Sequence, residues 1–393
     1  MRNHKYLWHF LCGLFVVPLC LTGVRAGPLS CYVLETTIRQ DVKSADVVFW
    51  GKITDVRTDP EENESETDFA IVEILKGHGI LAGKKTFTVK HKVPNKDKSK
   101  LQYLIFCEVY KNRLEAFSGM QITDECKPYI RGVIKHGNMP AENRLAFYFH
   151  HLQHKHPDIS GDAFREFEKA DHKHVTAMAR TLKPEQILPY LRNHAKVSKQ
   201  ALPIYAKLLG HCGKKEHAKL LAEMYSMHLK TKHGLGILES SLVSCTLLDK
   251  SLGWKLIRKH AQQKVEKEDP STFIRLYSTL RAIRHLHKHH PQLIGKKETG
   301  NVMADLLSHP MVADFVIEDF RKRKEWNRTL QLLQWVNKES HDIPIIRRAM
   351  LRFCLVSPHP SAKKFVADWR KRDPEQVEMT LELLKLEDRF AGK

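Results

Sequence analysis

The chain has 393 residues, 65 of them Lys or Arg against 45 Asp or Glu, for a formal net charge of +20. A single hydrophobic core stops growing at about 250–300 residues, so this length requires two or more domains. Hydrophobic residues at 42% and charged residues at 28% are ordinary globular proportions, which exclude collagen, intrinsic disorder and a disulfide knot.

Residues 1–26 have the three-part plan of a secretory signal. Met1–His9 carries Arg2 and Lys5, Leu11–Leu21 is apolar apart from Pro18, and Val24-Arg25-Ala26 places small residues at the cleavage positions. An uncleaved anchor is the alternative, because Tyr6–Val24 approaches a membrane-spanning length. No later stretch reaches about 18 uninterrupted apolar residues, so no membrane span is expected in the mature chain. The expected location is secreted, or periplasmic and cell-envelope. Six cysteines then remain (Cys31, Cys107, Cys126, Cys212, Cys245 and Cys354), and none is spaced Cys-x-x-Cys. A zinc ribbon, a thioredoxin-type centre and covalent haem are therefore unsupported. An oxidising compartment permits disulfides, and Cys31, Cys107 and Cys126 make one bridge plausible in the first part of the chain. The other three lie in apolar helical contexts and read as buried thiols.

An apolar-faced helix is expected at Leu34–Ala45. From Val47 to about Tyr110 the dominant period is then two: Val47–Val56, Asp68–Leu75, Thr86–Lys92 and Gln102–Tyr110 are β-branched or aromatic runs separated by polar or glycine-bearing turns. Four such strands read as a small antiparallel sheet or closed barrel, with another helix following at Asp124–Lys135.

After Pro140 the period is that of amphipathic helices. Phe273, Leu276, Leu280, Ile283 and Leu286 form one stripe; Leu330, Leu333 and Val336 form a second, and Ile345, Ile346, Met350 and Phe353 a third. Breaks fall at Pro157-Asp158, Gly210-His211-Cys212-Gly213, His290-Pro291, His309-Pro310 and Pro358-His359-Pro360. Ala163, Ala206, Ser241, Ser278, Ile317 and Ala349 fall at spacings of 43, 35, 37, 39 and 32 residues. These bracket the helical-hairpin repeat length of about 40 and predict a superhelix of stacked pairs with a concave binding face, an irregular bundle being the alternative. Charge divides the chain at the same place. Residues 27–137 hold 17 basic and 16 acidic residues, and residues 138–393 hold 45 and 29.

Cys31-Tyr32-Val33, then Ser44-Ala45-Asp46-Val47-Val48-Phe49-Trp50-Gly51-Lys52-Ile53, then Ala70-Ile71-Val72-Glu73-Ile74-Leu75-Lys76-Gly77 resembles the netrin-like domain shared with tissue inhibitors of metalloproteinases. That resemblance covers roughly residues 31–130. It implies a five-stranded OB-type barrel with Cys31 bridged to a later strand, Cys107 first and Cys126 second. The helical remainder resembles HEAT-type repeats, and the combination is similar to exported proteins of planctomycete-type bacteria. Inhibition does not carry over, because that chemistry needs an N-terminal cysteine followed two residues later by another. Here Gly27–Ser30 precede Cys31, and Val33 stands at the second position.

Chemistry-bearing motifs are few. His285 and His289 stand one helical turn apart, a spacing used by two-histidine zinc sites, but no acid accompanies them and Arg281, Arg284 and Lys288 surround them. The cluster reads as a solvated basic face that binds nickel or zinc only adventitiously. His150 and His154 form a weaker pair on one face. Gly210-His211-Cys212-Gly213 reads as a helix-ending turn rather than a nucleophile site, and no phosphate loop or Gly-x-Ser-x-Gly is present. No catalytic residue, cofactor or specific metal site is expected. Arg321-Lys322-Arg323-Lys324, Arg347-Arg348 with Arg352, and Arg370-Lys371-Arg372 recur in the last third and form the candidate polyanion-binding stripe. No interleaved aromatic motif points to specific nucleic-acid binding.

The sequence thus predicts an α+β multidomain protein: a signal at 1–26, a small OB-type β-barrel at 27–137, and an all-α HEAT-like superhelical repeat domain at 138–393. The expected function is exported, non-enzymatic scaffolding through unknown protein partners, with polyanion binding and inhibition of extracytoplasmic proteases as alternatives.

Overall fold

The computed structural model describes residues 36–59, 64–81, 83–90, 92–93, 102–229, 234–263 and 270–391. The expected signal segment and Cys31 lie outside them. The chain divides into two compact units, Met1–Gly137 and Asn138–Lys393, and it combines an antiparallel sheet with many helices.

In the first unit, α1 (Ile38–Ser44) begins at a capping box. Thr37 Oγ1 accepts from the Gln40 amide, and the Gln40 side chain accepts from the Thr37 amide, so two helix-end donors are satisfied at once. Five strands follow: β1 (Val47–Asp59), β2 (Glu64–Lys76), β3 (Thr86–Val89), β4 (Gln102–Tyr110) and β5 (Arg113–Ile122), in the antiparallel order β3-β2-β1-β4-β5. The fifth strand is absent from the four read off the residues. Its turn, Lys111-Asn112, is left-handed at both positions (φ 46° and 61°) without a glycine to announce it, and β5 itself has an irregular apolar alternation. Register shifts at three places bend β1 across the sheet. Val47, Phe49, Ile53, Phe69, Tyr103 and Ile105 fill the core. Gly51 lies so close to Phe69 that an added Cβ would stand 3.1 Å from its ring. The other face meets α2 (Cys126–His136): the buried Trp50 donates its indole N–H to Glu73 at 2.9 Å, and Arg131 donates to the same carboxylate at 2.7 Å. Cys107 and Cys126 are both buried, and Cys107 is a free thiol, so the expected bridge from Cys31 to Cys107 does not form.

The second unit holds α3 (Ala141–Phe149), α4 (Pro157–Lys169), α5 (His172–Ala179), α6 (Leu188–Arg192), α7 (Leu202–Cys212), α8 (Ala218–His228), α9 (Leu235–Leu248) and α10 (Lys250–Gln262). It continues through α11 (Pro270–His289), α12 (Lys296–Asp305), α13 (Pro310–Lys322), α14 (Thr329–Leu333), α15 (Pro344–Val356), α16 (Pro360–Arg372) and α17 (Pro374–Ala391). Prolines at the first turns of α4, α13 and α16 cost no hydrogen bond, because those amides have no intrahelical acceptor. Alternate helices stack in sequence: α7 on α9, α9 on α11, α11 on α13, and α13 on α15. Ala163, Ala206, Ser241, Ser278, Ile317 and Ala349 are all buried, on α4, α7, α9, α11, α13 and α15. One apolar core runs from Tyr225 to Ala362. Two stripe residues do not belong to it: Leu330 is 63% and Ile345 56% exposed. The short α14 turns Leu332 inward instead, and α15 turns Ile346. No helix among the described residues is long and apolar enough to cross a membrane.

Candidate metal centre and basic surfaces

Five histidines from α5, α7 and the end of α11 meet at one place. His172 opens α5, His211 sits in the last turn of α7, His285 and His289 lie in the last turns of α11, and His290 follows it directly. The His172 ring is central, with centroids 5.5 Å from His211, 4.9 Å from His285, 4.2 Å from His289 and 5.5 Å from His290. One ring nitrogen from each of His172, His211 and His290 lies within 4.8 Å of the other two. A tetrahedral ion with imidazole bonds of 2.0–2.1 Å sets its ligands about 3.3 Å apart, so side-chain closure of roughly an ångström completes the site.

The backbone makes this convergence possible. Gly210 precedes His211, and an added Cβ there would stand 2.4 Å from Ser244 Oγ and 2.9 Å from Ser244 Cα, so α7 lies on α9 only with glycine at that point. Thr176 Oγ1, one turn along α5 from His172, spans the two helices at 3.3 Å from His172 Nε2 and 3.4 Å from His211 Nε2. Buried nitrogens remain on three rings: His172 Nδ1, His285 Nε2 and His290 Nε2 have no hydrogen-bond partner among the described residues. An orphaned buried polar atom is costly, and lone pairs on neutral imidazoles are transition-metal ligands.

Burial also keeps these rings neutral. It drives His172 down to about 4, His211 to about 3 and His285 to about 2, with neighbouring histidines and Lys207 adding to the shift. His289 and His290 are lowered for the same first reason. At neutral pH no proton competes with a metal for these nitrogens.

This corrects the reading of residues 285–290 as a solvated face, since His285, His289 and His290 are each half-buried. Sequence spacing finds His285 and His289, whose centroids lie 4.8 Å apart. It misses His172 and His211, which only tertiary packing brings alongside. The weaker pair is not on one helical face, because α3 ends at Phe149, before His150.

Other buried histidines are structural. The carbonyls of Ala261 and Leu307 only accept, so His309 and His341 donate Nε2–H to them at 2.9 and 2.7 Å. His260, 5% exposed beneath Tyr225, is pushed down to about 4 by burial, with Arg275 and Lys259 adding to it. The folded state therefore refuses a proton that the unfolded chain accepts below its ordinary value of 6.5. This contribution is constant above that value and turns increasingly destabilising as pH falls toward 4. Urea denaturation at pH 7.0 and 4.5 should show a loss about 2–3 kcal/mol larger in the native protein than in His260→Leu. Equal losses would assign the acid sensitivity elsewhere.

Four residues of the expected polyanion stripe are engaged within the fold. Arg321 donates to Glu318 at 2.8 Å and Glu387 at 3.0 Å, and Arg352 joins the same two carboxylates, so α13, α15 and α17 share a four-membered ion cluster. Arg347 pairs with Asp342 at 2.7 Å and Arg370 with Glu378 at 3.2 Å. Arg323 is half-buried, which leaves Lys322, Lys324, Arg348, Lys371 and Arg372 exposed. A different basic surface lies along α10. A cleft of about 1050 Å³ is lined by Lys215, Lys250, Lys255, Arg258, Lys259 and Trp254, with the acids Asp249 and Glu298 also in its lining. Asp249 in that cleft is committed to capping α10, accepting from the Leu252 amide at 3.1 Å.

No family model matches the chain, and no curated protein matches it either.

Proposed function

We propose that this is an exported, non-enzymatic binding protein whose helical unit holds one divalent transition-metal ion of the zinc, nickel or copper class. The observation that carries the reading is the meeting of five neutral imidazoles from three helices, three of them with a buried nitrogen lacking a partner among the described residues. Imidazole sets of this kind favour those metals over magnesium or calcium, which prefer oxygen. The test is melting of the metal-free chain with and without zinc: stabilisation that His172→Ala removes supports the reading, and unchanged melting overturns it.

The finer architecture belongs to the same proposal. The order β3-β2-β1-β4-β5 is that of an OB barrel opened between its third and fifth strands, which supports a netrin-like first unit. Stacking of alternate helices, with small or apolar residues recurring near each repeat centre, supports a HEAT-like second unit. Export and protein partnership rest on the N-terminal sequence and on the interaction surfaces that such repeats offer.

A second reading, polyanion binding, is favoured by the α10 cleft. Lys255, Arg258 and Lys259 share one face of α10, whereas Arg321 and Arg352 are tied to glutamates. Heparin retention should fall sharply with salt and drop in a Lys255→Glu/Lys259→Glu variant, while Arg321→Gln leaves it unchanged. The reverse ranking would return the surface to α13.

A further inference from the structure

α17 carries two stripes, and the fold covers only one of them. Val377, Thr380 and Leu384 are buried where α17 packs on α15 and α16. Met379, Leu383, Leu386 and Phe390, by contrast, are between 42% and 74% exposed. Their spacing alternates four, three and four residues, the interval of a coiled-coil seam, which places all four on one face of the helix. That face lies about a third of a turn round from the buried stripe. Single apolar residues on a surface are ordinary, but a continuous row of them along one helix marks an interaction surface.

The charges beside the row select its occupant. A helix that lies on a lipid surface has a polar face rich in Lys and Arg. α17 instead carries the acids Glu375, Glu378, Glu382, Glu387 and Asp388 against the bases Lys385 and Arg389. With Met379 and Leu386 at d positions and Leu383 and Phe390 at a positions, Glu382 and Arg389 both fall at g, and both are exposed. We propose that α17 is a self-association surface, on which two copies of the chain dock α17 against α17, antiparallel about a two-fold axis. Leu383 of one copy then meets Leu386 of the other, Met379 meets Phe390, and each Glu382 faces the opposite Arg389. A two-fold interface is self-complementary, so every one of these contacts is made twice. In a parallel pair Glu382 would face the second copy's Glu387, an acid, and the complementary pairing would be lost. Glu387 is held within its own copy by Arg321 at 3.0 Å and Arg352 at 2.5 Å, so it leaves no bare charge beside the antiparallel seam. The row spans about 18 Å of a helix about 10–12 Å wide. That is less than the roughly 800 Å² per partner of stable complexes, which makes the dimer weak, with a dissociation constant of about 10–100 µM.

The test is sedimentation velocity of the full chain from about 2 to about 300 µM, in about 0.3 M salt so that its net charge of +20 is screened. The expected result is a monomer that becomes a dimer across that range. Leu383→Glu/Leu386→Glu should weaken association at least about tenfold, because docking would bury unpaired carboxylates. Both leucines are exposed, so the melting temperature of this variant should match the parent's. Glu382→Arg and Arg389→Glu should each weaken association about threefold, since two rim pairs per dimer turn repulsive. The double variant Glu382→Arg/Arg389→Glu should recover the parent's affinity, because the exchanged charges pair again. Recovery separates the antiparallel register from a general loss of apolar surface. A chain that stays monomeric at the highest concentration, a dimer that ignores the leucine variant, or a double charge variant weaker than either single one overturns the proposal. A monomer that instead binds phosphatidylcholine–phosphatidylglycerol vesicles through the same leucines assigns the row to a lipid surface and overturns it too.

Discussion

Zinc added to the metal-free protein at about a hundred times its dissociation constant should stabilise the fold by about 2.7 kcal/mol, through preferential binding to the native state. For a helical unit of this size, that is a rise in melting temperature of about 5–10 °C. His172→Ala should abolish most of the rise, because its ring contacts the other four and its removal leaves no centre around which they close. His309→Ala should not touch the zinc response, since that imidazole is occupied with the Ala261 carbonyl. Differential scanning calorimetry with and without a chelator separates these outcomes. A zinc shift that survives in a His172→Ala/His211→Ala double variant would show that the ion binds elsewhere, and the proposed centre would be lost.

The second large effect is expected at Gly253, in the first turn of α10. A Cβ there would stand 2.4 Å from the Thr246 backbone nitrogen, 2.4 Å from its hydroxyl and 2.5 Å from its Cα. Two of these atoms are main chain and cannot rotate away, so α10 must shift against α9. Overpacking costs about 1–3 kcal/mol in ordinary cores, and contact with main chain puts Gly253→Ala at the upper end. Melting should fall by about 6–12 °C. Gly300 on α12 is the control. Its added Cβ would meet only the ends of Arg328 and Glu325, each at 2.9 Å, and those side chains can swing aside. Gly300→Ala should stay within about 1 kcal/mol of the parent, the gain in helix propensity offsetting the readjustment. Equal losses at the two sites would mean that the α9–α10 contact yields more easily than its distances imply.

Local structure was legible in the residues wherever a single segment carries its own signal. The prolines opening α4, α13 and α16 and the β-branched and aromatic run Val47-Val48-Phe49-Trp50 each announce an element without help from elsewhere. β5 escaped because its turn takes the left-handed conformation on Lys111 and Asn112 rather than on glycine. Leu330 misled because the five-residue α14 has too few turns to fix its phase, and Ile345 because its neighbour Ile346 takes the core position at the start of α15.

The centre was half legible. The pair His285 and His289 is written in helical spacing, but their desolvation is not, because burial depends on α5 and α7 covering that end of α11. Charge was misleading for the same reason. Arg321 and Arg352 look like free surface cations until Glu318 and Glu387 arrive from their own and another helix. Long-range pairing of this kind is set by packing, and packing is what a linear reading sees least.

The first hairpin has a consequence of its own. β1 pairs with β4 only as far as Lys52, yet continues against β2 to Asp59, and β3 reaches β2 no farther out than Thr67. The outer part is therefore a two-stranded tongue, braced across its strands by Arg57 reaching Asp68 and Glu66. A lone ribbon has solvent on both sides, so its peptide hydrogens are protected only by that ribbon's own opening equilibrium. Deuterium should enter the tongue long before it enters the adjoining stretch Val47–Lys52, making one continuous strand two segments with separate lifetimes.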